Sequence, residues 1–405
     1  MKKSTRAHEG NSRLVTVVSR LYRPEASAAS LRLGALVDGL RDSGHSVRVL
    51  TTRPPKALRG RDKPEPGVSN WPVLRDRSGY VRGYLQYMSF DIPLFLRVLF
   101  ARRADVFVCE PPPTTGVALR LATALRRIPY VYYAADIWSD AATATNASGI
   151  VLRVVRGMER FAMRGAAVVL AVTDGVRDRV AELAPQSDVR VVGHGVDLSH
   201  FTATGASVEN PADIVYVGSA SEWHGAELAL DVLADVMSED PRLTAAFIGQ
   251  GSSWPALKSE THRRGLSARI RFFDTVGPEE AAAWLRGARV SLATLVPGKG
   301  YDFAVPTKLY ASVAVGTPVV YAGPPAVGAV IEENGLGGSV PYEHEAFTRA
   351  LRAALDTADG TPDRRLIDWA RDNLSADQVA RRAGDAITAA VEAEKARAVR
   401  YRVAE

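Results

Sequence analysis

The stretch Val305-Pro306-Thr307-Lys308-Leu309-Tyr310-Ala311-Ser312-Val313-Ala314-Val315-Gly316-Thr317-Pro318-Val319-Val320 predicts a loop, a short helix, a tight turn and a buried strand in succession. The helix can begin at Pro306, because the fixed φ of proline suits a first turn and its missing N–H is not needed there. The strand begins at Pro318 and is apolar throughout, as expected of a strand covered on both faces.

Lys308 is the unusual residue of this stretch, because it lies beside the N-terminus of the predicted helix. A positive charge there opposes the helix dipole and is unfavourable for the helix alone. The same charge becomes favourable if an anion is bound, since the free N–H groups and the ammonium then act together. The alternative is a solvated surface lysine, and the residues alone leave both interpretations open.

Composition indicates a folded protein of more than one domain. The chain has 405 residues, of which 46% are hydrophobic and 24% charged, and this length fits two domains better than one core. The net charge of +6 favours anionic partners without choosing among them. The single cysteine, Cys109, lies in an apolar run, so a disulfide framework and a multi-cysteine metal site are excluded and a reducing cytosol is expected.

The sequence offers no candidate for a targeting or membrane-spanning segment. The first twelve residues are polar and charged, without the apolar region of a signal peptide. The longest uncharged run, Ser312–Ile331, is interrupted by three prolines and three glycines. We therefore expect a soluble protein that is at most membrane-associated.

Strands and helices alternate along the chain in two successive series. The first begins with the β-branched run Leu14–Val18, a helix that ends at Gly44, and the strand His45–Leu50. A second series begins with the strand Asp213–Val217, after a shift in composition near Ala212. Alternation of this kind predicts α/β domains with parallel sheets, here two doubly wound domains facing a central cleft. The predicted boundaries are a polar tail 1–12, an N-terminal domain 13–205, a second domain 206–375 and a C-terminal helix 376–405.

Ligands of such sheets bind beyond the carboxyl ends of the strands, which here includes the loop Tyr22–Ser30. Asp136 follows the predicted strand Pro129–Ala135 and is therefore placed to contact a ligand hydroxyl, although an N-cap role is the alternative.

Thr52–Asn70 is rich in Pro, Arg, Lys and Gly and is predicted as a mobile loop. In Trp71–Arg103 aromatic residues interleave with arginines, which predicts either a helical pair on the sheet or a surface that contacts anionic lipid. No nucleic-acid-binding pattern accompanies the charge, so no nucleic-acid partner is expected.

With both series in view, the sequence resembles the family-four retaining glycosyltransferases of the GT-B fold, in particular bacterial enzymes that build surface polysaccharide. The resemblance runs from about Arg13 to Ala390. It rests on motifs in a fixed order: Pro24-Glu25, Arg32, Gly44–Thr51, Asp136-Ile137-Trp138, His194-Gly195-Val196-Asp197 with Phe201, Phe247–Gly251, Ile270–Phe273, Pro306–Tyr310 with Ala314–Val320, and Gly335–Gly338.

The resemblance implies transfer of a sugar from a nucleotide-diphosphate sugar to an acceptor hydroxyl with retention, and without a metal or other cofactor. Stabilising the charge on the leaving diphosphate is the main requirement. The residues implied in catalysis are Lys308, His224 and Asp136. Those implied in donor binding are Gly218, Ser219, Gly225, Gly249, Gly251, Pro306, Thr307, Lys308, Leu309 and Ser312. Those implied on the acceptor side are Pro24, Glu25, Arg32, Asp136 and Trp138.

The implied partners are the sugar nucleotide, a glycan or lipid-linked acceptor, and in one alternative an anionic membrane surface contacted through 71–103. The expected location is the cytoplasm, or the inner face of the plasma membrane as a peripheral protein. For His224 a helix-capping role is the alternative to catalysis.

The sequence departs from the family pattern at the donor site. Ala311 and Phe303 stand where the family usually has glutamates, and Ser219–Ser221 with His224 stand where it usually has an arginine and a lysine. In the first loop, Ala26–Ala29 replaces the usual glycines. A catalytically silent homologue that serves as a partner subunit or sugar-nucleotide binding module is therefore the alternative, and a sugar-nucleotide epimerase a more distant one.

Overall fold

The computed structural model describes residues 12–25, 27–58, 65–76, 79, 81, 83–144 and 148–404. The chain forms two compact units, and each is described by itself. Unit 1 comprises the described residues of Met1–Ala142, Ala147–Gly195 and Ala376–Glu405, and unit 2 those of Thr143–Asn146 and Val196–Ser375.

Unit 1 is built on a seven-stranded sheet in which all neighbouring strands are parallel. The strands are β1 (Leu14–Val18), β2 (Ser46–Thr52), β3 (Val68–Trp71), β4 (Val106–Cys109), β5 (Tyr130–Ala134), β6 (Val168–Ala171) and β7 (Val189–Val191). Their order in the sheet is β3-β2-β1-β4-β5-β6-β7. The central strands are buried along their whole length, as their continuous apolar runs predict.

The helices of unit 1 form two packed groups. They are α1 (Ala28–Asp42), α2 (Tyr84–Leu99), α3 (Pro113–Arg126), α4 (Trp138–Ala141), α5 (Gly149–Gly165), α6 (Asp174–Leu183) and the C-terminal α14 (Ala376–Ala404). Helix α1 packs on α14, whereas α2 packs on α3 and α3 on α5. Right-handed crossovers place α1 and the α2–α3–α5 group on opposite faces of the sheet, because their connections run in opposite directions along it.

Unit 2 repeats this architecture with six parallel strands. The strands are β8 (Ile214–Val217), β9 (Ala245–Ile248), β10 (Ile270–Phe273), β11 (Val290–Thr294), β12 (Val319–Ala322) and β13 (Gly337–Val340). Their order is β10-β9-β8-β11-β12-β13. The helices are α7 (Ala226–Glu239), α8 (Trp254–Arg263), α9 (Pro278–Arg286), α10 (Thr307–Ala314), α11 (Pro325–Glu333), α12 (His344–Thr357) and α13 (Arg364–Asn373).

The predicted fold class is confirmed: both units are doubly wound sheets of the Rossmann-like kind. The chain passes from unit 1 to unit 2 between Gly195 and Val196, ten residues before the boundary that composition suggested. The reason is that Val196, Leu198 and Phe201 pack into the apolar core of unit 2.

A helical pair was one of the two interpretations of segment 71–103, and the described part of the segment does not form such a pair. The described part contains the end of β3 at Trp71 and a single helix, α2. Arg75 is held by the carboxylate of Glu25 at 2.8 and 3.0 Å and is therefore not presented to a lipid surface. Arg77 and Arg82 lie outside the described residues.

The predicted mobile loop 52–70 is partly ordered secondary structure. Residues 56–58 form a 3-10 turn, and β3 pairs with β2 through Val49↔Val68 and Thr52↔Trp71. Residues 59–64 of that prediction, like Ala26, fall outside the described part of the chain.

Two further observations concern membranes and the cysteine. Among the described residues, no helix combines the length and apolar character needed to cross a bilayer. Cys109 is fully buried at the end of β4, as its apolar context predicts, and burial raises the pKa of its thiol.

The contact of α1 with α14 depends on a missing side chain. A Cβ added at Gly39 would lie 2.6 Å from the Cβ of Ala380 on α14, which is closer than two non-bonded carbon atoms can approach each other.

We expect Gly39→Val to lower the free energy of unfolding of unit 1 by about 1–3 kcal/mol through overpacking. Denaturant titration measures this. The control is Gly157→Val in α5, where an added Cβ meets nothing within 4 Å. Equal effects of the two substitutions would contradict the close-packed contact.

Candidate active site

Lys308 is buried, which contradicts the surface-lysine interpretation. It is the second residue of α10, and only 9% of it is exposed. Its Nζ donates a hydrogen bond to the carbonyl of Ser219 at 2.9 Å and lies 3.7 Å from the centre of the Tyr216 ring. Both contacts favour the ammonium, through a partial negative charge and through the ring quadrupole. The side chain thereby connects α10 to the loop that follows β8.

Burial lowers the pKa of Lys308 well below its ordinary value. Among the described residues, no carboxylate lies within ion-pair distance of its Nζ, so the charge lacks a full counterion in the protein. An anion bound at this point would stabilise the charged form and raise the pKa again.

His224 lies on the same loop and shares the environment of Lys308. Its Nδ1 accepts a hydrogen bond from the backbone N–H of Ser221 at 3.1 Å, which leaves the proton of the neutral ring on Nε2. Burial and the nearby Lys308 lower the pKa of His224 to about 3. The ring is therefore neutral at physiological pH and offers one N–H donor.

Gly225 completes this loop as the N-cap of α7, with φ of 63° in the left-handed region. Its backbone carbonyl accepts a hydrogen bond from the hydroxyl of Tyr342 at 3.1 Å, and an added Cβ would clash with that hydroxyl. The glycine is thus required both for the turn and for the close approach of Tyr342. The capping position belongs to Gly225, so the capping interpretation of His224 is wrong. In the first turn of α7 the N–H of Leu228 donates to the carbonyl of Gly225 at 3.2 Å, while those of Ala226 and Glu227 lie too early in the helix for an intrahelical acceptor and favour an anion.

The glycines Gly249 and Gly251 allow two loops of unit 2 to run side by side. A Cβ added at Gly249 would lie 2.2 Å from the carbonyl oxygen of Gly218. A Cβ added at Gly251 would lie 2.0 Å from the carbonyl oxygen of Ala220. The two loops are joined by backbone hydrogen bonds from Gly218 to Ile248 and from Ala220 to Gln250. These glycines therefore shape the loop that carries Ser219.

The remaining residues of the α10 motif have different surroundings. Pro306 is the N-cap rather than the first helical residue, and Thr307 is exposed next to Lys308. Leu309 is fully buried in the apolar core. Ser312 is also buried and donates to the carbonyl of Thr317 at 3.0 Å. Within this motif, Lys308 thus contacts the loop after β8 and Thr307 faces solvent. Leu309 and Ser312 hold α10 in place.

The aromatic pair Trp223 and Tyr301 was not predicted from the sequence. The two rings stack with their centres 5.5 Å apart, and Trp223 also contacts the ring of His224. Ala311 packs in the core of unit 2 at 9% exposure. Its side chain has no hydrogen-bonding group, unlike the glutamate that the resembled family usually has at this position.

In unit 1, Arg32 is the centre of a buried polar group. Its Nη2 donates to Glu110 at 2.7 Å, and the same carboxylate accepts from the hydroxyl of Ser19 at 2.8 Å. Burial acts to lower the pKa of Arg32, but Glu110 and other acidic neighbours outweigh it and raise the pKa. Ser19 follows β1 and Glu110 follows β4, so both lie at the carboxyl ends of central strands.

Asp136 and His194 lie in the electrostatic field of Arg32. The Asp136 side chain is accessible to solvent, and the protein around it raises the pKa of its carboxyl, an effect that Arg32 opposes. Burial and Arg32 lower the pKa of His194 to about 4, so this imidazole is neutral at pH 7. Ile137, not Asp136, is the N-cap of α4, so the N-cap interpretation of Asp136 is wrong. The carboxylate is therefore not used by the helix.

The other residues predicted on the acceptor side are Trp138, Glu25 and Pro24, and the first two make contacts that hold the fold together. The N–H groups of Trp138 and Ser139 donate to the buried carboxylate of Glu159, at 2.8 and 3.1 Å, which anchors α4 to α5. The carboxylate of Glu25 is occupied by Arg75. Pro24 is exposed. The structure thus brings Arg32 and Asp136 together and leaves Pro24 and Glu25 outside their polar group.

Arg20 is a further buried cation at this edge that the sequence reasoning missed. It follows Ser19 after β1, is 8% exposed, and stacks on the ring of Tyr87 at 3.9 Å. Within the described chain its Nε and Nη1 have no hydrogen-bond partner. Its position directly after a central strand, like that of Glu110, could have marked it.

Within the part of the chain that the structure describes, no group of three or more His, Cys, Asp or Glu side chains is placed to hold a metal ion.

The chain matches two protein-family models, one in each unit. Residues 27–195 match the model described as a glycosyl transferase 4-like domain, and residues 211–357 match that of glycosyl transferases group 1. The chain is also similar to the alpha-monoglucosyldiacylglycerol synthase of Streptococcus pneumoniae. That similarity is 21% identity over 377 residues, which covers 87% of this chain and 81% of the synthase.

Solved structures share the fold over nearly the whole chain. The sucrose-phosphate synthase of Thermosynechococcus elongatus superposes with a TM-score of 0.74 at 13% identity, covering 94% of this chain and 100% of that one. The HepE protein of Anabaena, solved in complex with UDP-glucose, superposes with a TM-score of 0.69 at 16% identity, covering 93% and 100%.

The protonation state of His224 can be tested directly. We expect its imidazole to stay neutral, with the proton on Nε2, from pH 8 down to about pH 5, because its pKa lies near 3. Substitution Lys308→Met removes a positive neighbour and should raise this pKa, while burial keeps it below the ordinary value of about 6.5. Two-dimensional NMR of the ring nitrogens measures both, with His224→Gln to assign the signal. A wild-type midpoint near pH 6.5 would contradict the buried geometry.

Proposed function

The chain belongs to the family-four glycosyltransferases of the GT-B fold, and we propose that it transfers a sugar from a nucleoside-diphosphate sugar to an acceptor hydroxyl with retention at the anomeric carbon. The observation that carries this proposal is the buried Lys308, held beside Ser219 and His224 with no carboxylate of the described chain within ion-pair distance. The diphosphate of the donor supplies the missing negative charge. The complex of the similar HepE protein with UDP-glucose supports a donor of this class.

Charge builds up on the diphosphate as the bond to the sugar breaks. The ammonium of Lys308, the Nε2–H of His224 and the free N–H groups at the start of α7 stabilise this charge without the reorganisation that water would need. His224 acts as a neutral donor and leaves the positive charge to Lys308. These groups support a reaction that needs no metal ion, in which the cations and N–H groups do the work of a Lewis acid.

On the acceptor side, we assign hydroxyl contacts to Asp136 and contacts with an anionic group to Arg32 and Arg20. The accessible carboxylate of Asp136 can accept a hydrogen bond from a sugar hydroxyl. The acceptor class that fits is a lipid-linked glycan, another cell-envelope acceptor or a secondary metabolite. The similarity to a glycolipid synthase supports a lipid-linked acceptor. We place the reaction in the cytoplasm or at the inner face of the plasma membrane.

A silent homologue that only binds sugar nucleotides is the competing function, and Ala311 is the observation that favours it. A panel of sugar nucleotides, with mass spectrometry of the products in the presence and absence of membranes, separates the two. We expect slow release of nucleoside diphosphate from one donor. A donor that raises the melting temperature of the protein but is never consumed would instead support a binding module.

Substitution Lys308→Ala should reduce donor turnover at least about tenfold, because it removes a charge-assisted contact with the leaving group. Lys308→Met keeps the apolar bulk of the side chain and separates loss of charge from loss of packing. Steady-state kinetics measures both variants against Lys258→Ala, which changes an exposed lysine of α8. Wild-type kinetics in Lys308→Met would show that the charge is not used.

Donor binding should also be coupled to proton uptake. Burial lowers the pKa of free Lys308, and a bound diphosphate raises it, so the complex takes up protons in the pH range between the two values. Affinity therefore falls as pH rises through that range. Calorimetry of nucleoside diphosphate binding in buffers of different ionisation enthalpy measures the uptake. Persistence of the same uptake in Lys308→Met would assign it to another group.

A further inference from the structure

Large apolar side chains that are exposed to solvent are distributed unequally between the two units. Every one found among the described residues belongs to unit 1. Most of them lie on α2, α3 and α5 or at their ends: Tyr84, Leu85, Ile92, Leu96, Phe100, Leu121, Leu125, Ile150, Val151, Val154 and Phe161. Scattered single exposures are ordinary, but a contiguous set on packed helices indicates an interaction surface.

Helix α5 has the pattern of a helix that lies in a membrane interface. Ile150, Val154 and Phe161 are spaced by four and seven residues, so they form one apolar stripe, exposed at 70%, 54% and 37%. A second stripe, centred about a quarter-turn away, is formed by Arg153, Arg156, Arg160 and Arg164. All four arginines are exposed. An apolar stripe flanked by cations is the arrangement of interfacial helices.

The same surface continues over α2. Leu85, Ile92 and Leu96 are spaced by seven and four residues and are exposed at 67%, 61% and 50%. Buried Phe90, Leu94 and Val98 form the opposite, inward face of this helix. The exposed stripe is therefore additional to the residues that pack α2 on its neighbours.

Helix α3 lies between the other two and connects their surfaces. It packs on α2 and on α5, and its own Leu121 and Leu125 are exposed at 48% and 68%. An added Cβ at Gly116 would lie 2.7 Å from the Cβ of Ala162 on α5, so the two helices are in close contact there. The outer side of α2, α3 and α5 thus forms one surface, which we call the arginine-apolar face.

The arginine-apolar face has no exposed carboxylate on its helices. Asp91 in α2 and Glu159 in α5 are the acidic residues of these three helices, and both are buried, at 3% and 0% exposure. The helices carry seven arginines: Arg97, Arg120, Arg126, Arg153, Arg156, Arg160 and Arg164. The four arginines of α5 are exposed, as are Arg102, Arg103 and Arg127 in the segments that follow α2 and α3, whereas Arg97, Arg120 and Arg126 are half-buried. The face is therefore apolar and positive at once.

We propose that the arginine-apolar face binds the surface of an anionic lipid bilayer. Its aliphatic and aromatic side chains enter the boundary between headgroups and acyl chains, and its arginines pair with lipid phosphates. A second copy of the same face fits poorly, since it would bring like charges together. This proposal does not depend on the transfer reaction, because the donor-site residues all lie in unit 2. It also replaces segment 71–103 as the lipid-contacting region, since only α2 and the residues directly after it in that segment belong to the face.

Flotation of the full-length protein with phosphatidylcholine vesicles, with and without about 30% phosphatidylglycerol, tests the proposal. We expect binding to the anionic vesicles that weakens strongly between about 50 and 500 mM NaCl. The triple variant Arg153→Gln/Arg156→Gln/Arg164→Gln should bind them at least about tenfold more weakly. The matched control Arg242→Gln/Arg349→Gln/Arg365→Gln removes the same charge from exposed positions of unit 2, at 89%, 69% and 83% side-chain exposure, and should bind as the wild type does.

A second pair of variants tests the apolar component. Ile150→Ser/Val154→Ser should weaken binding to anionic vesicles severalfold even at low salt. Leu31→Ser/Val191→Ser, which changes two exposed apolar residues outside the face, should leave it unchanged. All these positions are exposed, and circular dichroism confirms that the variants fold. Failure of the wild type to float, self-association through this face without lipid binding, or equal losses in the control variants would overturn the proposal.

Discussion

A lysine charge enclosed in a protein interior is the constraint on which the arrangement of unit 2 around α10 depends. Lys308 is compensated by one carbonyl and one aromatic ring, and this is less than an ammonium obtains from water. The arrangement forces α10 against the loop after β8. It also explains the glycine at 218, where an added Cβ would lie 3.3 Å from the lysine Cε. A buried charge with few hydrogen-bond partners costs free energy in the unliganded protein, and a bound anion would reduce that cost.

Much of the fold could be predicted because buried parallel strands have continuous β-branched runs, as in β1, β6 and β12. The edge strands β3 and β13 could not. The residues of β13, Gly337-Gly338-Ser339-Val340, have low intrinsic preference for strands, and they pair because β12 offers them a complete ladder. At Gly337 an added Cβ would lie 2.0 Å from the carbonyl of Val319, so the glycine is required by the neighbour and not by its own segment.

The candidate site was predictable where a residue type is unusual for its local position and hidden where it is not. Lys308 at a helix start is unusual, and it was found. Glu159 lies in the middle of a helix that gives no sign of a role, and only the tertiary fold brings its carboxylate to the first N–H groups of α4. Arg75 and Arg153 look alike in sequence, yet one is paired with Glu25 and the other is exposed on α5. Burial and partner choice are long-range properties, and no local pattern contains them.

The return of α14 to α1 makes unit 2 an insertion in the chain of unit 1. Val196 and Ser375, where the chain enters and leaves unit 2, are neighbours joined by a β-bridge. Nearly all of unit 2 is one continuous segment, whereas unit 1 is covered on α1 only after residues from Ala376 onward are available. On a ribosome, unit 2 can therefore close its core before α14 has been synthesised, while unit 1 waits for α14 to cover α1. The unit whose synthesis begins first is thus the one whose folding is completed last.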